Sequence, residues 1–551
     1  FCLSDPYRYD LVGNSSTIDV AILYSRMEMI NVYGTAHARR ADAWFARRRR
    51  YAFREEKVMF NIGIIGLGDN GSMHVRGFQR LEETRVAAIC DISDAARSRI
   101  LKIIDDDSVV STESWEMLCD MEDLDAICVC VPTYLHAPIA HRALDNGKDI
   151  FLEKPISTTM AETDKVIEHA FATDRVVQVG LVYRYSNLYR TLGTLAERGD
   201  YGNVKMAYCK EYRDNFPTQW FFETEKSGGA ILDKDCHHFD LFSWFIRSRP
   251  EKVYAMGGQH VVKGDSVKIN CSYAPDPELL IQNPDIVDHA FVIVRYENGA
   301  LANLGLCMYQ VEPKEGLEVG IIGDNGAHAQ AKKDVKLIAG GGPLGEVKEI
   351  PVDYENDNHG IGHIGADRQH AEFVECMKSR RMPFANLLLA RESMAISIAA
   401  EMSIKEGREV LLSELDTPAI TELIREHAEE AFRPTPPPLK PPRPRKDRKR
   451  SREREIIDTF IDLLRLLMGK RPRGEAKPFD QQVFADAIEQ ANQNKRYRKL
   501  ARGLDACIAF EHPGQSPVYI GVNDGKAEII SEGWGMEDTH VVFTEDGWKN
   551  I

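Results

Sequence analysis

The chain has 551 residues, of which 43% are hydrophobic and 28% charged, and a formal net charge of −15 at pH 7. This length predicts about two to four domains of an ordinary soluble kind. The acidic balance argues against a general nucleic-acid binder, since affinity for phosphate backbones comes from clustered Lys and Arg. The 11 cysteines contain no Cys-x-x-Cys pair, which predicts reduced thiols in a cytoplasmic protein. No apolar run reaches the roughly 18 residues that span a bilayer.

Residues 1–58 show no clear periodicity and include the consecutive arginines Arg47 to Arg50. A clean strand pattern begins only after Met59. We therefore expect an unstructured extension over residues 1–58 and interpret Met59 as the natural start. Because the chain begins with Phe1, we also expect the sequence to be a fragment.

A glycine-rich turn follows the first strand pattern, Asn61 to Ile65. Gly66-Leu67-Gly68-Asp69-Asn70-Gly71 fits G-x-G-x-x-G, and residues 72–80 have a helical pattern. In this order the glycines permit a tight turn, the close approach of a pyrophosphate and the packing of helix on strand. The helix N-terminus adds free N–H groups for the phosphates. The turn therefore predicts dinucleotide binding.

A second strand pattern, residues 86–90, ends in Asp91. An acid about 20 residues beyond the glycines can accept from both ribose hydroxyls and repel a 2′-phosphate. The next residue, Ile92, is not basic. We therefore expect NAD rather than NADP as the cofactor.

Two further apolar runs end in polar residues. Residues 124–131 stop at Pro132 and Thr133, and His136 precedes a helical pattern over 137–146. His136 either starts that helix or contacts the nicotinamide. Residues 148–152 lead into Glu153 and Lys154, which we expect at the carboxyl end of a strand, where open α/β sheets bind ligands. Lys154 could act there as proton donor or base if its surroundings lower its pKa.

Three segments in this order, Gly66 to Gly71, Val131-Pro132-Thr133-x-x-His136 and Glu153-Lys154-Pro155, resemble the Gfo/Idh/MocA oxidoreductases over about residues 59–415. The resemblance implies an α/β protein with a Rossmann domain (59–180) and an α+β domain (181–415). The second domain would carry an open, mostly antiparallel sheet used for substrate binding and oligomer contacts. It implies a cis bond between Lys154 and Pro155. The expected cofactor contacts are Gly66, Leu67, Gly68, Asp69, Asn70, Gly71, Asp91, Pro132, Thr133, His136, Glu153 and Lys154.

The second domain contributes further candidate site residues. The resemblance places Tyr183 and Arg184 near the substrate, and residues 227–240 resemble the family's signature helix. Asp233 and His237 are four residues apart and share a helix face, the pairing that an acid/base histidine needs. With Lys154 they form the expected catalytic set.

Other residues around this helix leave alternatives open. His237 could be an ordinary helix histidine, and His238 is either structural or a substrate contact. Asp235 stands where the family often has a small residue. These acids and histidines could bind a divalent ion, but we expect no metal. By weak resemblance, Asp367 and His370 could also approach the substrate.

The chain after residue 415 changes character. Residues 416–478 contain a proline-rich and then a basic stretch, which predicts a linker with an amphipathic helix at 455–468. The basic stretch could touch nucleic acid or an anionic membrane, but a solvated linker is favoured. Residues 479–551 resemble part of a sterol carrier protein-type lipid-binding domain of α+β type. The chain stops before the elements that would close its apolar pocket, so we do not expect lipid binding.

The leading functional hypothesis is hydride transfer between a sugar or polyol hydroxyl and NAD in a homodimer or homotetramer. The first alternative is a glycoside hydrolase, epimerase or lyase that uses NAD transiently. A regulator that senses the cofactor and a lipid-transfer protein are weaker alternatives. The regulator would be expected to have lost Lys154 or His237, and both residues are present.

Overall fold

The computed structural model describes residues 59–271, 278–310, 317–332, 336–352 and 365–432, three residues of a later helix (Ile488, Glu489 and Asn492), and four strands between 505 and 542. The predicted extension 1–58 and the predicted linker beyond residue 432 lie outside these residues. The chain divides into two compact units: unit 1 is residues 1–442 and unit 2 is residues 443–551. The candidate site lies entirely in the first unit.

A six-stranded parallel sheet forms the first half of unit 1, with strand order β3-β2-β1-β4-β5-β6. The order reverses between β1 and β4, the switch point at whose carboxyl edge such sheets bind ligands. Every residue of β4 and β5 is buried, because helices cover both faces of the sheet. The strands are β1 (Phe60–Ile65), β2 (Thr84–Cys90), β3 (Val110–Thr112), β4 (Ala126–Val129), β5 (Asp149–Leu152) and β6 (Val177–Val179).

Five helices connect these strands. α2, α3 and α5 begin after Ser93, Ser114 and Thr159, whose side chains accept a hydrogen bond from an N–H of the first turn. The strand order and the alternation of strands with helices confirm the predicted Rossmann arrangement. The helices are α1 (Asp69–Arg80), α2 (Asp94–Ile104), α3 (Trp115–Asp120), α4 (His136–Asp145) and α5 (Met160–Thr173).

A nine-stranded, mostly antiparallel sheet follows, in the order β16-β15-β14-β13-β7-β12-β11-β8-β17, as predicted. One parallel pair, β7 with β12, interrupts it. Buried and exposed residues alternate along β7 and β11, so one face packs inward and the other is open. The strands are β7 (Val204–Tyr212), β8 (Pro250–Gly258), β11 (His289–Tyr296), β12 (Leu301–Cys307), β13 (Leu317–Gly323), β14 (His328–Lys332), β15 (Lys336–Gly340), β16 (Lys348–Ile350) and β17 (Val410–Leu411); β9 (Ser266–Asn270) and β10 (Glu278–Gln282) pair separately.

Helices pack on the inner face of this sheet and return to the Rossmann domain. α9 lies against α1, where Arg80 pairs with Asp367 at 3.0 Å, and Lys378 pairs with Glu83. These contacts attach α9 to the C-terminal end of α1 and the turn that follows it, away from the glycine turn at the start of α1. The helices are α6 (Asn187–Glu197), α7 (Thr224–Ser227), α8 (Ala230–Ile246), α9 (Ala366–Ser379), α10 (Leu387–Glu406) and α11 (Pro418–Phe432).

Helix α11 corrects the predicted start of the linker at residue 416. Ile420, Ile424 and Ala431 are buried and recur at helical spacing, so the chain stays packed through Phe432. In unit 2, four strands pair in the order β20-β19-β18-β21: β18 (Asp505–Glu511), β19 (Val518–Asn523), β20 (Lys526–Ile530) and β21 (Thr539–Val542). None of the described helices combines the length and apolar character needed to cross a bilayer.

Candidate active site

The three glycines of the turn between β1 and α1 have different structural roles. Gly66 has φ +89°, and a Cβ there would lie 2.4 Å from the Cys130 carbonyl oxygen. A Cβ at Gly71 would lie 1.9 Å from the Gly66 carbonyl oxygen, whereas a Cβ at Gly68 would meet no atom within 4 Å. Packing therefore requires the first and third glycines. The second faces open space beside the N-terminus of α1, whose first N–H groups lack acceptors within the helix.

Asp91 is fixed beside this turn at the end of β2. Its Oδ2 accepts the Leu67 N–H at 2.7 Å, and its Oδ1 accepts the Ser93 N–H at 2.8 Å. Ile92 is 90% exposed, and the nearby Arg97 already donates to the Asp91 carbonyl and to Asp94. An open phosphate cradle with a positioned carboxylate fits a nicotinamide adenine dinucleotide.

Lys154 lies immediately beyond β5, as predicted, and its bond to Pro155 is cis. Its ammonium donates to the Asp233 carbonyl oxygen at 2.6 Å and lies 3.3 Å from Asp233 Oδ2. Burial, the largest single effect, lowers the pKa of Lys154, but the acidic groups around it, Asp233 first among them, together raise it. Lys154 therefore stays charged and can donate hydrogen bonds at neutral pH, and the condition for its acting as a base, a lowered pKa, is not met.

Asp233 and His237 lie one turn apart on α8 and are almost fully buried. Thr133 Oγ1 donates to Asp233 Oδ1 at 3.4 Å, so the loop after β4 also reaches this carboxylate. The Tyr183 ring stacks on the His237 ring, with centroids 4.6 Å apart and planes inclined by 27°. The structure thus brings five predicted residues into one region: Lys154, Thr133, Asp233, His237 and Tyr183.

A buried polar chain continues from Tyr183 towards β7. Lys234 Nζ donates to the Tyr183 hydroxyl at 3.3 Å and lies 3.5 Å from Glu211 Oε1. Glu211 Oε2 lies 3.5 Å from His238 Nε2, and His238 Nδ1 lies 3.2 Å from Asp235 Oδ1. Because His238 is fully buried between two carboxylates, we interpret it as structural. Sequence reasoning missed Glu211; its signal is an acid at an inward position of a strand.

The opposite charges of Lys234 and Glu211 stabilise each other. Burial, the largest single effect, lowers the pKa of Lys234, but Glu211 and the other acidic groups around it together raise it. Burial would raise the pKa of Glu211, but Lys234 and His238 lower it. The pair therefore remains ionised at neutral pH and keeps the Lys234 ammonium beside the Tyr183 hydroxyl.

Two predicted site residues, Arg184 and His136, use their side-chain nitrogens in hydrogen bonds to other protein groups. Both Nε and Nη2 of Arg184 donate to the Asp240 carboxylate, at 2.6 and 2.8 Å, and the side chain is 1% exposed. His136 has its Nδ1 2.6 Å from the Pro155 carbonyl oxygen and its Nε2 2.9 Å from that of Val131. Arg184 thus has a structural role rather than the predicted substrate contact. The His136 ring braces the loop instead of presenting a nitrogen to the nicotinamide.

Glu153 was predicted to contact the cofactor, but its carboxylate contacts protein groups instead. Its Oε1 lies 2.9 Å from His74 Nε2, and its Oε2 accepts the Lys154 N–H at 3.2 Å. His370, predicted by weak resemblance to approach the substrate, is buried with its Nε2 2.7 Å from His74 Nδ1. Asp367 pairs with Arg80 instead of reaching the site. These three residues contact protein groups behind the site.

Within the described residues, one group of possible metal-ligating side chains lies together: His74, Cys128 and Cys130, with ligand atoms within 4.8 Å of one another. Both ring nitrogens of His74 already have hydrogen-bond partners. Burial raises the pKa of both thiols and opposes the thiolate form that binds metal. We therefore assign no metal to this group.

Two family models match the chain. "Oxidoreductase family, NAD-binding Rossmann fold" matches residues 60–181, and "GFO/IDH/MocA C-terminal domain" matches residues 189–328. The chain is 29% identical to an uncharacterized oxidoreductase YrbE of Bacillus subtilis over 44% of its own length and 64% of the relative's. It is 28% identical to a myo-inositol 2-dehydrogenase of Thermotoga maritima over 44% and 66%. The chain thus spans slightly less than two thirds of these relatives.

Solved structures share the fold of unit 1. A probable dehydrogenase from Thermotoga maritima superposes with a TM-score of 0.52 at 20% identity, covering 65% of this chain and all of that one. A levoglucosan dehydrogenase in complex with NADH gives a TM-score of 0.56 at 17% identity, covering 64% and 99%. At these identities the similarity establishes the fold, and the reaction must be argued from the site.

Proposed function

We propose that this chain, which contains the NAD-binding and C-terminal domains of the Gfo/Idh/MocA oxidoreductases, is an NAD-dependent dehydrogenase of a sugar or polyol hydroxyl. One observation carries the proposal. The Lys154 ammonium pairs with the Asp233 carboxylate, and His237 follows one turn later on the same helix, in a chain whose parallel sheet has a dinucleotide turn at its switch point. Such a site combines a hydrogen-bond donor, a base and a position for a hydride acceptor.

The residues would divide the chemistry as follows. NAD, when bound, supplies the hydride acceptor. Lys154 donates a hydrogen bond to the reacting hydroxyl oxygen, which fixes the carbinol carbon beside the nicotinamide. His237 accepts the hydroxyl proton as the carbon–hydrogen bond breaks. Asp233 holds the Lys154 ammonium in place, and the Tyr183 ring fixes the orientation of His237.

NAD is the expected cofactor. The Asp91 carboxylate is positioned by two backbone N–H groups, at 2.7 and 2.8 Å, and would meet a 2′-phosphate as an unfavourable like charge. The exposed neighbour Ile92 offers no positive charge to a phosphate. A 2′-hydroxyl, by contrast, can donate to this carboxylate.

A second candidate reaction uses the same groups but returns the hydride to the substrate, as in glycoside cleavage, epimerisation or elimination. Such a reaction needs a second acid/base side chain. Tyr183 lies against His237 and accepts a hydrogen bond from Lys234, so its own hydroxyl proton remains available. This observation favours the candidate over a non-catalytic regulator.

An absorbance assay of NADH with a panel of inositols, aldoses and sugar acids tests the proposal. We expect NADH to accumulate with at least one polyol, with kcat/KM for NAD at least about tenfold above that for NADP. Conversion of a sugar without accumulation of NADH would instead establish transient redox chemistry. No conversion of any member of the panel would contradict both candidates.

We further propose that the chain forms a homo-oligomer through the open face of the nine-stranded sheet. Six large apolar side chains on this face are between 42% and 68% exposed: Met206, Tyr254, Met256, Phe291, Ile293 and Leu301. Neighbouring strands carry them, since Phe291 pairs with Met256 and Ile293 with Tyr254. A continuous apolar patch of this kind marks a protein interface.

We expect the double variant Met256→Lys, Phe291→Lys to dissociate this oligomer, because two ammonium groups would have to lose their hydration at the interface. Sedimentation velocity of the wild type, the double variant and the control Met117→Lys measures the effect. Met117 is 53% exposed in the Rossmann domain. A monomeric wild type, or a double variant with unchanged sedimentation, would contradict the proposed interface.

The cellular location and the resemblance of unit 2 remain proposals. Nine cysteines of unit 1 that the structure describes form no disulfide, which supports a cytoplasmic location. The resemblance of residues 479–551 to part of a sterol carrier protein-type domain stays a prediction. We do not assign lipid binding to unit 2.

A further inference from the structure

His74 joins three elements behind the site. It lies in the middle of α1 and is fully buried. Its Nε2 is 2.9 Å from Glu153 Oε1, just beyond β5, and its Nδ1 is 2.7 Å from His370 Nε2 on α9. Both ring nitrogens are therefore used in contacts with elements distant in the chain.

Glu153 transmits this contact to Lys154. Its second carboxylate oxygen accepts the Lys154 N–H at 3.2 Å. A Cβ at Gly180 would lie 2.8 Å from the same carboxylate, so the chain after β6 closes over it. Because Glu153 and Lys154 are adjacent, a shift of this carboxylate would also shift the base of the Lys154 side chain.

We propose that His74 is a positioning residue for Lys154: a buried imidazolium that fixes Glu153 and, through Glu153, the Lys154 backbone, with His370 holding its other side. The role assigned to Lys154 rests on the proposed function. The histidine would act through Glu153 and would not itself contact the substrate. Its importance would appear in the rate of the chemical step more than in binding.

The surrounding charges favour the protonated ring. Burial, the largest single effect, lowers the pKa of His74, but contacts with Cys130 and Glu153 together raise it. Burial also raises the pKa of the Cys130 and Cys128 thiols, so the contact that favours a protonated His74 at neutral pH is the one with Glu153 Oε1, at 2.9 Å. An imidazolium donates from both nitrogens, so Nε2 of His370 must be the acceptor.

Packing around His370 supports the same geometry. A Cβ at Gly77, in the interior of α1, would lie 2.2 Å from two atoms of the His370 ring. A glycine inside a helix is unfavourable unless a close neighbour requires it. Gly77 therefore admits the His370 ring against α1 and brings it within reach of His74.

Kinetics of His74→Gln and Gly77→Ala test the role. Gly77→Ala displaces His370 without changing a charge. We expect both variants to lower kcat about 10- to 100-fold, with KM for the polyol within about threefold, because the donor at the reacting oxygen is misplaced. The control His141→Gln changes a partly exposed histidine on α4 and should keep wild-type kcat. A folded His74→Gln enzyme with wild-type kcat would overturn the proposal.

Nitrogen NMR of the histidine rings supplies a readout that needs no turnover. We expect one ring to remain an imidazolium at pH 8, to be missing in His74→Gln, and to titrate at lower pH in Glu153→Gln. If no ring stays protonated at pH 8 in the wild type, the proposal is wrong. An absence of polyol turnover would contradict the proposed function alone, and the NMR result would still decide the protonation of His74.

Discussion

Replacement of Lys154 by methionine is expected to lower kcat/KM for polyol oxidation about 1000-fold while NAD affinity stays within about threefold of wild type. Methionine keeps an unbranched apolar side chain but removes the ammonium that lies 2.6 Å from the Asp233 carbonyl oxygen. The reacting oxygen would lose its charged donor, and Asp233 would remain as a buried carboxylate without its cation. Steady-state NADH formation and NAD titration measure the two quantities.

Lys165 provides the matched control for this substitution. It is an exposed lysine on α5 that pairs with Glu162 at 2.7 Å, and Lys165→Met should keep wild-type kcat/KM. Surface pairs of this kind contribute little to stability. If Lys154→Met retained more than about a tenth of wild-type activity, Lys154 could not be the donor to the reacting oxygen.

Gly68→Val is expected to weaken NAD binding about 100-fold without lowering the thermal stability of the free protein. A Cβ at Gly68 meets no protein atom within 4 Å, and φ is −66°, so a side chain is tolerated in the unliganded chain. The added methyl groups would occupy the space through which the pyrophosphate approaches the turn. Calorimetric titration with NAD and a thermal melt of the free protein measure the two effects.

Gly71→Ala provides the contrasting variant. Its Cβ would lie 1.9 Å from the Gly66 carbonyl oxygen, so this variant should lose thermal stability even without cofactor. NAD binding by Gly68→Val at wild-type affinity would show that the cofactor does not use the glycine turn. Equal destabilisation by both variants would show that Gly68 is constrained by the fold itself.

Local patterns in the sequence predicted much of the fold and the front of the site. The order strand, glycine turn and helix is encoded within about 20 residues, and the acid after β2 follows from the same spacing. The position of Lys154 at the end of β5 was predictable because a short apolar run precedes it. Asp233 and His237 share a face through helix periodicity alone.

The groups behind the site could not be predicted in this way. The contact between His74 and His370 joins residues 296 positions apart, and that between Arg184 and Asp240 joins residues 56 apart. Nothing in the sequence around His74 or His370 distinguishes either residue from a histidine on a helix surface. The resemblance placed Arg184 near the substrate, and its pairing with Asp240 could not be predicted because α8 carries several acids. The direction of the Lys154 pKa shift likewise depends on the distance to Asp233.

The fate of the hydride tests the central claim most directly. A polyol substrate deuterated at the reacting carbon should give one ketone and one deuterated reduced nicotinamide per turnover, and Lys154→Met should give neither at a comparable rate. Mass spectrometry of cofactor and product after a single turnover measures both. Product that retains the deuterium on carbon, with the cofactor recovered as NAD, would contradict net dehydrogenation by this site.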